Sequence, residues 1–310
     1  LLQDHIAISG SSDTNSIVWN WEIDQQIYTI QGHTSYVMDL AIQDEIAVSA
    51  SHDRKLIVWN WQTGELIHTL KGHSSPVNSA VIQDEIIISS SRDETLIVWN
   101  WQTGELIRTL KGHSSWINSI AIQKNFIISS SRDKTLIVWN WKTGKQIRTL
   151  KGHSSSVNNV AIQDEIAISA SYDRKLIVWN WKTGERIRTL QGHLSSVIDV
   201  EVKDKIAISA SEDKTLIVWN WQTGELIRTL NRHSDWVTNV AIENEIAISA
   251  SEDKTLIVWN WEIGKQLAIF KINSPQYTVA IHDGVIVSGG EDGQVHFFQP
   301  NAALKKLLGW

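Results

Sequence analysis

His33, Ser49 and Asp53 supply the three groups of an acyl-transfer nucleophile: a hydroxyl to attack, an imidazole to take its proton and a carboxylate to orient the imidazole. The trio returns as His73, Ser89 and Asp93; His113, Ser129 and Asp133; His153, Ser169 and Asp173; His193, Ser209 and Asp213; and His233, Ser249 and Asp253. Each aspartate is followed six residues later by a tryptophan: Trp59, Trp99, Trp139, Trp179, Trp219 and Trp259. A hydrolase needs one such nucleophile, open to one cleft and served by one base. Six equal copies at one spacing do not fit that chemistry. Repetition at a fixed period marks a part of the fold.

The aspartate of the Ser-x-Asp phrase sets the period, recurring at Asp13, Asp53, Asp93, Asp133, Asp173, Asp213, Asp253 and Asp292, in steps of 40 residues and a last step of 39. The units run 1–31 (partial), 32–71, 72–111, 112–151, 152–191, 192–231, 232–271 and 272–310, and are expected to form a single domain over 1–310. In unit 32–71, VMDLAI (37–42) reads as a strand, Gln43-Asp44-Glu45 as a turn and IAVSAS (46–51) as a second strand. Asp53-Arg54 turns again, KLIVWNW (55–61) is a β-branched and aromatic third strand, Thr63-Gly64 turns, and ELIHTL (65–70) is a fourth. The expectation is four short antiparallel strands per unit, no helix, and a third strand buried on both faces. A sheet of this size cannot stand alone. Stacked radially, several bury one another as a β-propeller.

Gly-His ahead of Ser-x-Asp, then VWNW and Thr-Gly, is similar to the WD40 repeat; the resemblance covers nearly the whole chain and is nearest in character to the highly repetitive propellers of cyanobacteria and other bacteria. Two features depart from the family pattern. Asparagine (Asn60, Asn100, Asn140) stands where the family has the aspartate of Trp-Asp, and a short Q-D-E turn replaces the longer Ser-Pro-Asp-Gly hairpin. The resemblance implies an all-β, WD40-like propeller of four-stranded antiparallel blades. The repeat count gives eight blades, the first incomplete; the alternative is seven, the commoner size in the family, which would leave surplus strands.

It also implies a structural role for each tetrad. The indole N–H of Trp59 would donate to Ser49, the hydroxyl to His33 and the imidazole to Asp53, and likewise in the five other units, so that every buried polar group has a partner. Ser51 and its equivalents are a second candidate for the hydroxyl. The end units differ, as caps of repeat arrays do. The first has Ser9, Asp13 and Trp19 but neither Gly-His nor a first strand. The last has Asn273 in the histidine place, Ser288, Asp292, Phe298 for the tryptophan, and LKKLLGW as a final strand.

A second tryptophan follows two residues after the first, at Trp21, Trp61, Trp101, Trp141, Trp181, Trp221 and Trp261, and is expected on the same face of the strand. Packing between blades accounts for it. A ring of sugar-stacking platforms, as in propeller lectins, is the alternative.

If shared positions build the ring, function belongs where the units disagree, at loops and strand ends of the top face. The residue before the turn aspartate reads Ser12, His52, Arg92, Arg132, Tyr172, Glu212, Glu252 and Glu291, a basic or aromatic arc followed by an acidic one. Solvated charge, with Lys134, Lys214 and Lys254 neutralising neighbours, accounts for much of that series. The first strand opens with Tyr36, Pro76, Trp116, Ser156, Ser196 and Trp236, and two positions on come Met38, Asn78, Asn118, Asn158, Ile198 and Thr238. The candidate binding face is therefore Tyr36, His52, Arg92, Trp116, Arg132, Tyr172 and Trp236. Trp116 with Arg92 and Arg132 is the anchor group, because tryptophan and arginine dominate interface hot spots. The His52, Arg92 and Arg132 arc also suits an acidic or phosphorylated segment.

Composition bounds the rest. A chain of 310 residues, 42% hydrophobic and 20% charged, is long enough for a large core. A net charge of -6 and a pI near 6.0 give no basic field for nucleic acid. No apolar run approaches the ~18 residues of a membrane span, and no secretory signal opens the chain. The absence of cysteine rules out disulfides and thiolate zinc sites and fits a reducing compartment, so the cytoplasm is expected. His5, His68, His282 and His296 lie outside the tetrads and are scattered, and neither a phosphate loop, an H-E-x-x-H nor a calcium loop occurs; no metal and no cofactor is expected. The chain opens at Leu1, its one methionine is Met38, and its first residues read as mid-repeat, so a preceding portion is expected.

The reading is a non-enzymatic scaffold that binds a protein or peptide, without nucleic acid or membrane as partner. One alternative is a sensor or autoinhibitory domain of a larger bacterial signalling protein, since arrays similar to this one follow a kinase, a STAND-type NTPase or a caspase-like peptidase; the partner would then be another domain of the same parent chain. The other alternative is a glycan-binding lectin.

Overall fold

The structure, a computed structural model, describes the backbone at 2–3, 6–10, 15–20, 25–60, 63–282, 285–291 and 295–298, and side chains from residue 32 to 291 apart from a few positions. Ser9, Asp13, Trp19 and the rest of the first unit's candidates, together with Trp61, His282, Asp292, His296, Phe298 and the LKKLLGW segment, lie outside the described side chains. The chain divides into two compact units, 3–160 and 161–310, with the boundary inside the strand Val157–Gln163.

Every described sheet is antiparallel and built from strands consecutive in sequence. Four-stranded sheets span 2–31, 37–71, 77–111, 117–151, 157–191, 197–230 and 237–271, and a three-stranded sheet spans 276–298. The opening unit is corrected on one point: a two-residue first strand, Leu2–Gln3, heads its sheet.

Sheet 37–71 shows how the residues produce the element. The strand Val37–Gln43 turns back through Asp44, whose φ of 51° tightens the hairpin, into Ile46–Ser51. Arg54 takes the next left-handed position (φ 75°) and leads into Lys55–Asn60, where Leu56, Ile57, Val58 and Trp59 are all buried. A β-branched run buried on both faces is what a sheet sandwiched between neighbours requires. Against the fourth strand, Val58 pairs with His68 and Trp59 with Leu66, so one residue bulges out. The same slip recurs at Trp99, Trp139, Trp179, Trp219 and Trp259.

The third strand is one residue shorter than expected. It ends at Asn100 in sheet 77–111, and Trp101 opens the turn instead of continuing on the face of Trp99. Gly64, Gly104 and their equivalents close that turn with φ of 71° to 84°.

The core lies between consecutive sheets. In the first unit, Val48, Leu56, Val58 and Leu70 of one sheet pack on Val77, Ile87, Ile97 and Trp99 of the next. In the second, Ile208, Leu216, Val218 and Leu230 meet Val237, Ala247, Ile257 and Trp259 in the same way. The repeated phrase is thus the part that one sheet presents to the next.

Candidate functional site

The tetrads come first, because they hold the residues that resemble a nucleophile. In sheet 77–111, His73 Nδ1 lies 2.9 Å from Asp93 Oδ2 and His73 Nε2 lies 2.8 Å from Ser89 Oγ, while Trp99 Nε1 donates to the same Oγ at 2.9 Å. A carboxylate only accepts, so Nδ1 carries the proton and Ser89 donates to Nε2. The same chain of contacts links Trp139, Ser129, His113 and Asp133; Trp219, Ser209, His193 and Asp213; and Trp259, Ser249, His233 and Asp253. Trp179 donates to Ser169 at 2.9 Å, and His153 and Asp173 of that sheet are also engaged in polar contacts. His33 reaches Ser49 and Asp53, but Trp59 Nε1 is buried without an acceptor.

Each of these serine hydroxyls is buried to 1% exposure or less. An oxygen that would attack a carbonyl therefore meets no solvent and no substrate. The second candidates take another part: Ser91 Oγ accepts from Asp93 N and donates to the carbonyls of Ser75 and Pro76.

Sequence reasoning missed two partners of four of these aspartates. Asp93 also accepts Ser74 N–H at 2.8 Å and the Thr95 hydroxyl at 2.7 Å, and Thr135, Thr215 and Thr255 do the same for their aspartates. Burial pushes the Asp93 carboxyl up, but the electrostatic attraction and hydrogen bond of His73, the Thr95 hydroxyl and Ser74 N–H outweigh it and hold the group well below the usual carboxylate range. Asp133, Asp213 and Asp253 are held down by the same set. At His33 burial dominates and lowers the imidazole, against the pull of Asp53.

The last sheet corrects the expectation for its histidine place. Asn273 is exposed, and the Ser288 hydroxyl donates to Gln276 Oε1 at 2.7 Å, with Gln276 fully buried. The signal was a glutamine at the opening of a first strand, where the other units carry an apolar residue.

The second tryptophans turn their N–H groups inward. Trp101, Trp141, Trp181, Trp221 and Trp261 each donate to the carbonyl of the preceding hairpin, at Asp84, Lys124, Asp164, Asp204 and Asn244, over 2.8 to 3.0 Å. Trp181 and Trp221 are buried, and Trp101, Trp141 and Trp261 pack onto the clusters between sheets. Lys142 and Lys182 lie over the rings of Trp141 and Trp181. This is the geometry of packing, and it leaves no open platform at Trp181 or Trp221.

The variable rim positions are brought together in pairs. The N–H of the residue before the turn aspartate donates to the carbonyl of the residue that opens the first strand: His52 to Tyr36, Arg92 to Pro76, Arg132 to Trp116, Glu212 to Ser196, Glu252 to Trp236 and Glu291 to Pro275. Two positions 16 residues apart therefore share one strand end, and their side chains form one surface patch per sheet.

In the first unit this patch is cationic and aromatic. The Arg132 guanidinium carbon lies 3.8 Å from the Trp116 ring centroid and that of Arg92 lies 4.5 Å from it. Arg92 reaches that ring from the neighbouring sheet, and its Nε donates to Asn78 Oδ1 of its own sheet at 3.0 Å. Burial and then the charge of Arg132 lower the Arg92 guanidinium. Tyr36 and His52 form a tilted ring pair with centroids 6.0 Å apart.

In the second unit the patch is acidic. Trp236 is 44% exposed, and its own N–H donates to Asp235 Oδ1. Burial and the charges of Asp235, Glu291 and Glu212 raise the Glu252 carboxyl, so these groups share one field. Tyr277, also exposed, is pushed up by burial and by Glu291 and Glu252. Trp236 thus has carboxylates where Trp116 has arginines. Tyr172 stands exposed at its own rim position. The Lys214 ammonium donates to the Ser234 carbonyl at 2.6 Å.

Two further sets of polar contacts join neighbouring sheets and were not read from the sequence. Asp39 accepts Ala80 N–H, and in the second unit Asp199 Oδ2 accepts Asn239 Nδ2 and Val240 N–H while Asn239 Oδ1 accepts Val279 N–H. On the outer strands, Arg108, Arg188 and Arg228 donate to the carbonyls of Thr143, Gln222 and Glu262, and His68 Nε2 bonds the Gln102 carbonyl. Among the described residues no group of three or more histidine, aspartate or glutamate side chains is placed to hold a metal, and no helix is long and apolar enough to cross a membrane.

Sheets of four consecutive strands, one per 40-residue repeat, with a complete His–Ser–Trp–Asp network in sheets 77–111, 117–151, 197–230 and 237–271, are the basis for comparison with known families. The model of the WD domain, G-beta repeat, matches five stretches: 24–60, 64–100, 104–140, 144–180 and 184–220. The chain belongs to the WD40 repeat family. Each matched WD40 stretch starts at the fourth strand of one sheet and ends on the third strand of the next, so repeat and sheet are out of phase by one strand. The model of the TEP-1 C-terminal β-propeller matches 233–300. The crystal structure of the computationally designed Ika8 protein is similar, at 31% identity and a TM-score of 0.91, over 97% of this chain and 95% of that one. No curated protein matches. WD40 propellers in general are protein-interaction scaffolds without catalytic activity, and they bind proteins or peptides.

Proposed function

We propose that this WD40 chain is a non-enzymatic scaffold, of eight blades by repeat count, that holds a protein partner on the top-face rim where the repeats differ. The observation that carries the reading is the Arg92–Trp116–Arg132 cluster. Three unshared side chains from two consecutive sheets converge at one strand end, whereas the shared residues of those sheets turn inward. Large aromatic and guanidinium groups gathered on a rigid β framework have the composition of an interface hot spot.

The test is an affinity capture from source lysate with the parent chain and a Trp116→Ala, Trp236→Ala variant of equal melting temperature. A partner retained by the parent and lost by the variant supports docking through the rim. A partner retained equally by both removes the rim from the proposal. If the parent captures nothing, the next bait is the remainder of the same parent chain.

A further inference from the structure

We infer that the Arg92–Trp116–Arg132 cluster is a receptor for an oxyanion, carboxylate or phosphate, carried by an acidic segment of the protein partner. This rests on the rim being the docking surface and adds the chemistry that it selects.

The distances place both guanidinium carbons within 4.5 Å of one ring centroid, so the two charges are no more than about 8 Å apart, inside a Debye length at physiological salt. Such a pair repels, and each charge is ordinarily matched by a carboxylate. Here the nearest carboxylates in sequence, Asp93 and Asp133, point away into the sheets, bonded to His73 and His113. Among the described residues neither Arg92 nor Arg132 forms an ion pair, and Arg132 makes no side-chain hydrogen bond.

Both guanidinium carbons lie over the indole, and a ring face takes up a cation without using any of its N–H donors. Arg92 spends its Nε on Asn78, which sets its orientation and keeps its two terminal nitrogens as donors. Arg132 keeps its whole fork. Two oriented forks around one aromatic anchor suit oxyanions that accept two bonds at once, and an incoming negative charge also relieves the repulsion between the arginines. A cationic or neutral segment gains neither effect.

The acidic patch at Trp236 provides the internal contrast. It has an exposed tryptophan at the equivalent position, surrounded by Asp235, Glu212 and Glu252 instead of arginines. Selectivity for anions therefore belongs to the arginine pair and not to the rim tryptophan as such.

The test is fluorescence anisotropy of the full chain with four short labelled peptides that differ only at a central pair of residues: glutamate, phosphoserine, glutamine or lysine. Binding is expected for the first two, and inorganic phosphate should compete with them. Raising salt from about 50 to about 300 mM should weaken binding progressively. Arg92→Gln and Arg132→Gln should each weaken it about tenfold, the scale of one charge-assisted pair, while Lys142→Gln leaves it unchanged. Binding of the phosphoserine peptide alone assigns phosphate; binding of both assigns acidic side chains generally. Equal binding of the glutamine peptide, or no salt dependence with the unmodified chain, overturns the inference even if an arginine variant folds poorly. The two proposals fail differently: a captured partner lost with Trp116→Ala but kept with both arginine variants leaves the docking surface and removes its anion selectivity.

Discussion

Asp199 Oδ2 accepts the side-chain amide of Asn239 at 2.7 Å and so ties the first strand of one sheet to the first strand of the next. The same oxygen accepts Val240 N–H at 3.0 Å, yet the carboxyl is buried, and burial pushes it up to about 6 against the backbone hydrogen bonds from Val240 and Val200. The folded chain therefore holds a proton that the unfolded chain releases near pH 4. Between about pH 4 and pH 6 the native state binds more protons than the unfolded state, so this group's contribution to stability falls as pH rises through that window. Asp199→Asn has no such titration. The melting temperature of the variant minus that of the parent should increase from pH 4 to pH 7, measured by thermal denaturation at matched ionic strength. A difference that stays flat would mean that Asp199 does not titrate there.

The tetrad aspartates act in the opposite sense. Asp93, Asp133, Asp213 and Asp253 are held below their ordinary value, so the stability they contribute is complete above about pH 4 and is lost as pH falls further. Acid unfolding should begin below that point, and Asp133→Asn should flatten the limb. Asp133→Ala strips partners from His113, Ser114 N–H and Thr135 together and should cost about 1–3 kcal/mol at neutral pH, read from denaturant midpoints. Unchanged stability would show that the network is dispensable.

Gly144 and Gly224 occupy the same turn with φ of 74° and 84°, so an added Cβ strains both by about 1–2 kcal/mol. They differ in what that carbon would meet. At Gly144 it would come within 2.6 Å of Arg108 Nη1, the nitrogen that donates to the Thr143 carbonyl; at Gly224 the nearest atom is Arg188 Cδ at 3.3 Å. Gly144→Ala should therefore destabilise more than Gly224→Ala. The excess should shrink in an Arg108→Ala background, a double-mutant cycle that isolates the clasp between sheets. Additive effects would remove the clasp as the cause.

The period, the strand order and the members of the tetrads were legible because each is written locally and many times: the run LIVW, the turn Asp-Lys or Asp-Arg, the phrase Gly-His. The contacts between sheets were not legible. Asp199 reads as a surface carboxylate in VIDVEV, and only pairing with Asn239, 40 residues on, makes it a buried acceptor. Trp101 reads as the strand partner of Trp99, but the bulge at Trp99 ends the regular register and carries Trp101 into the turn, where its N–H finds Asp84. At the rim the residue types and the grouping of Trp116 with Arg92 and Arg132 were legible, and the contact geometry was not. Arg92 holds Asn78 of its own sheet through Nε while its guanidinium carbon lies 4.5 Å from the Trp116 ring of the next, a fact of spatial adjacency and not of sequence distance.

One departure from the repeat gives a prediction of gain. Gly72, Gly112 and Gly192 precede their histidines at points where an added Cβ would lie 2.8 to 2.9 Å from the far edge of Trp99, Trp139 and Trp219. The chain there runs directly over the indole, which is why glycine recurs. At the equivalent place stands Arg232, whose side chain cannot occupy that gap. The fourth strand consequently stops at Leu230, and an open cavity of about 520 Å³ lies between Asn231, Arg232 and Gln266 beside Trp259. Arg232→Gly should let the segment close over the indole, extend the strand by a residue and stabilise the chain by about 0.5–2 kcal/mol, the usual gain from restoring a consensus residue. Thermal and urea denaturation both read that gain. A loss instead would show that Arg232 makes contacts worth more than the closed backbone.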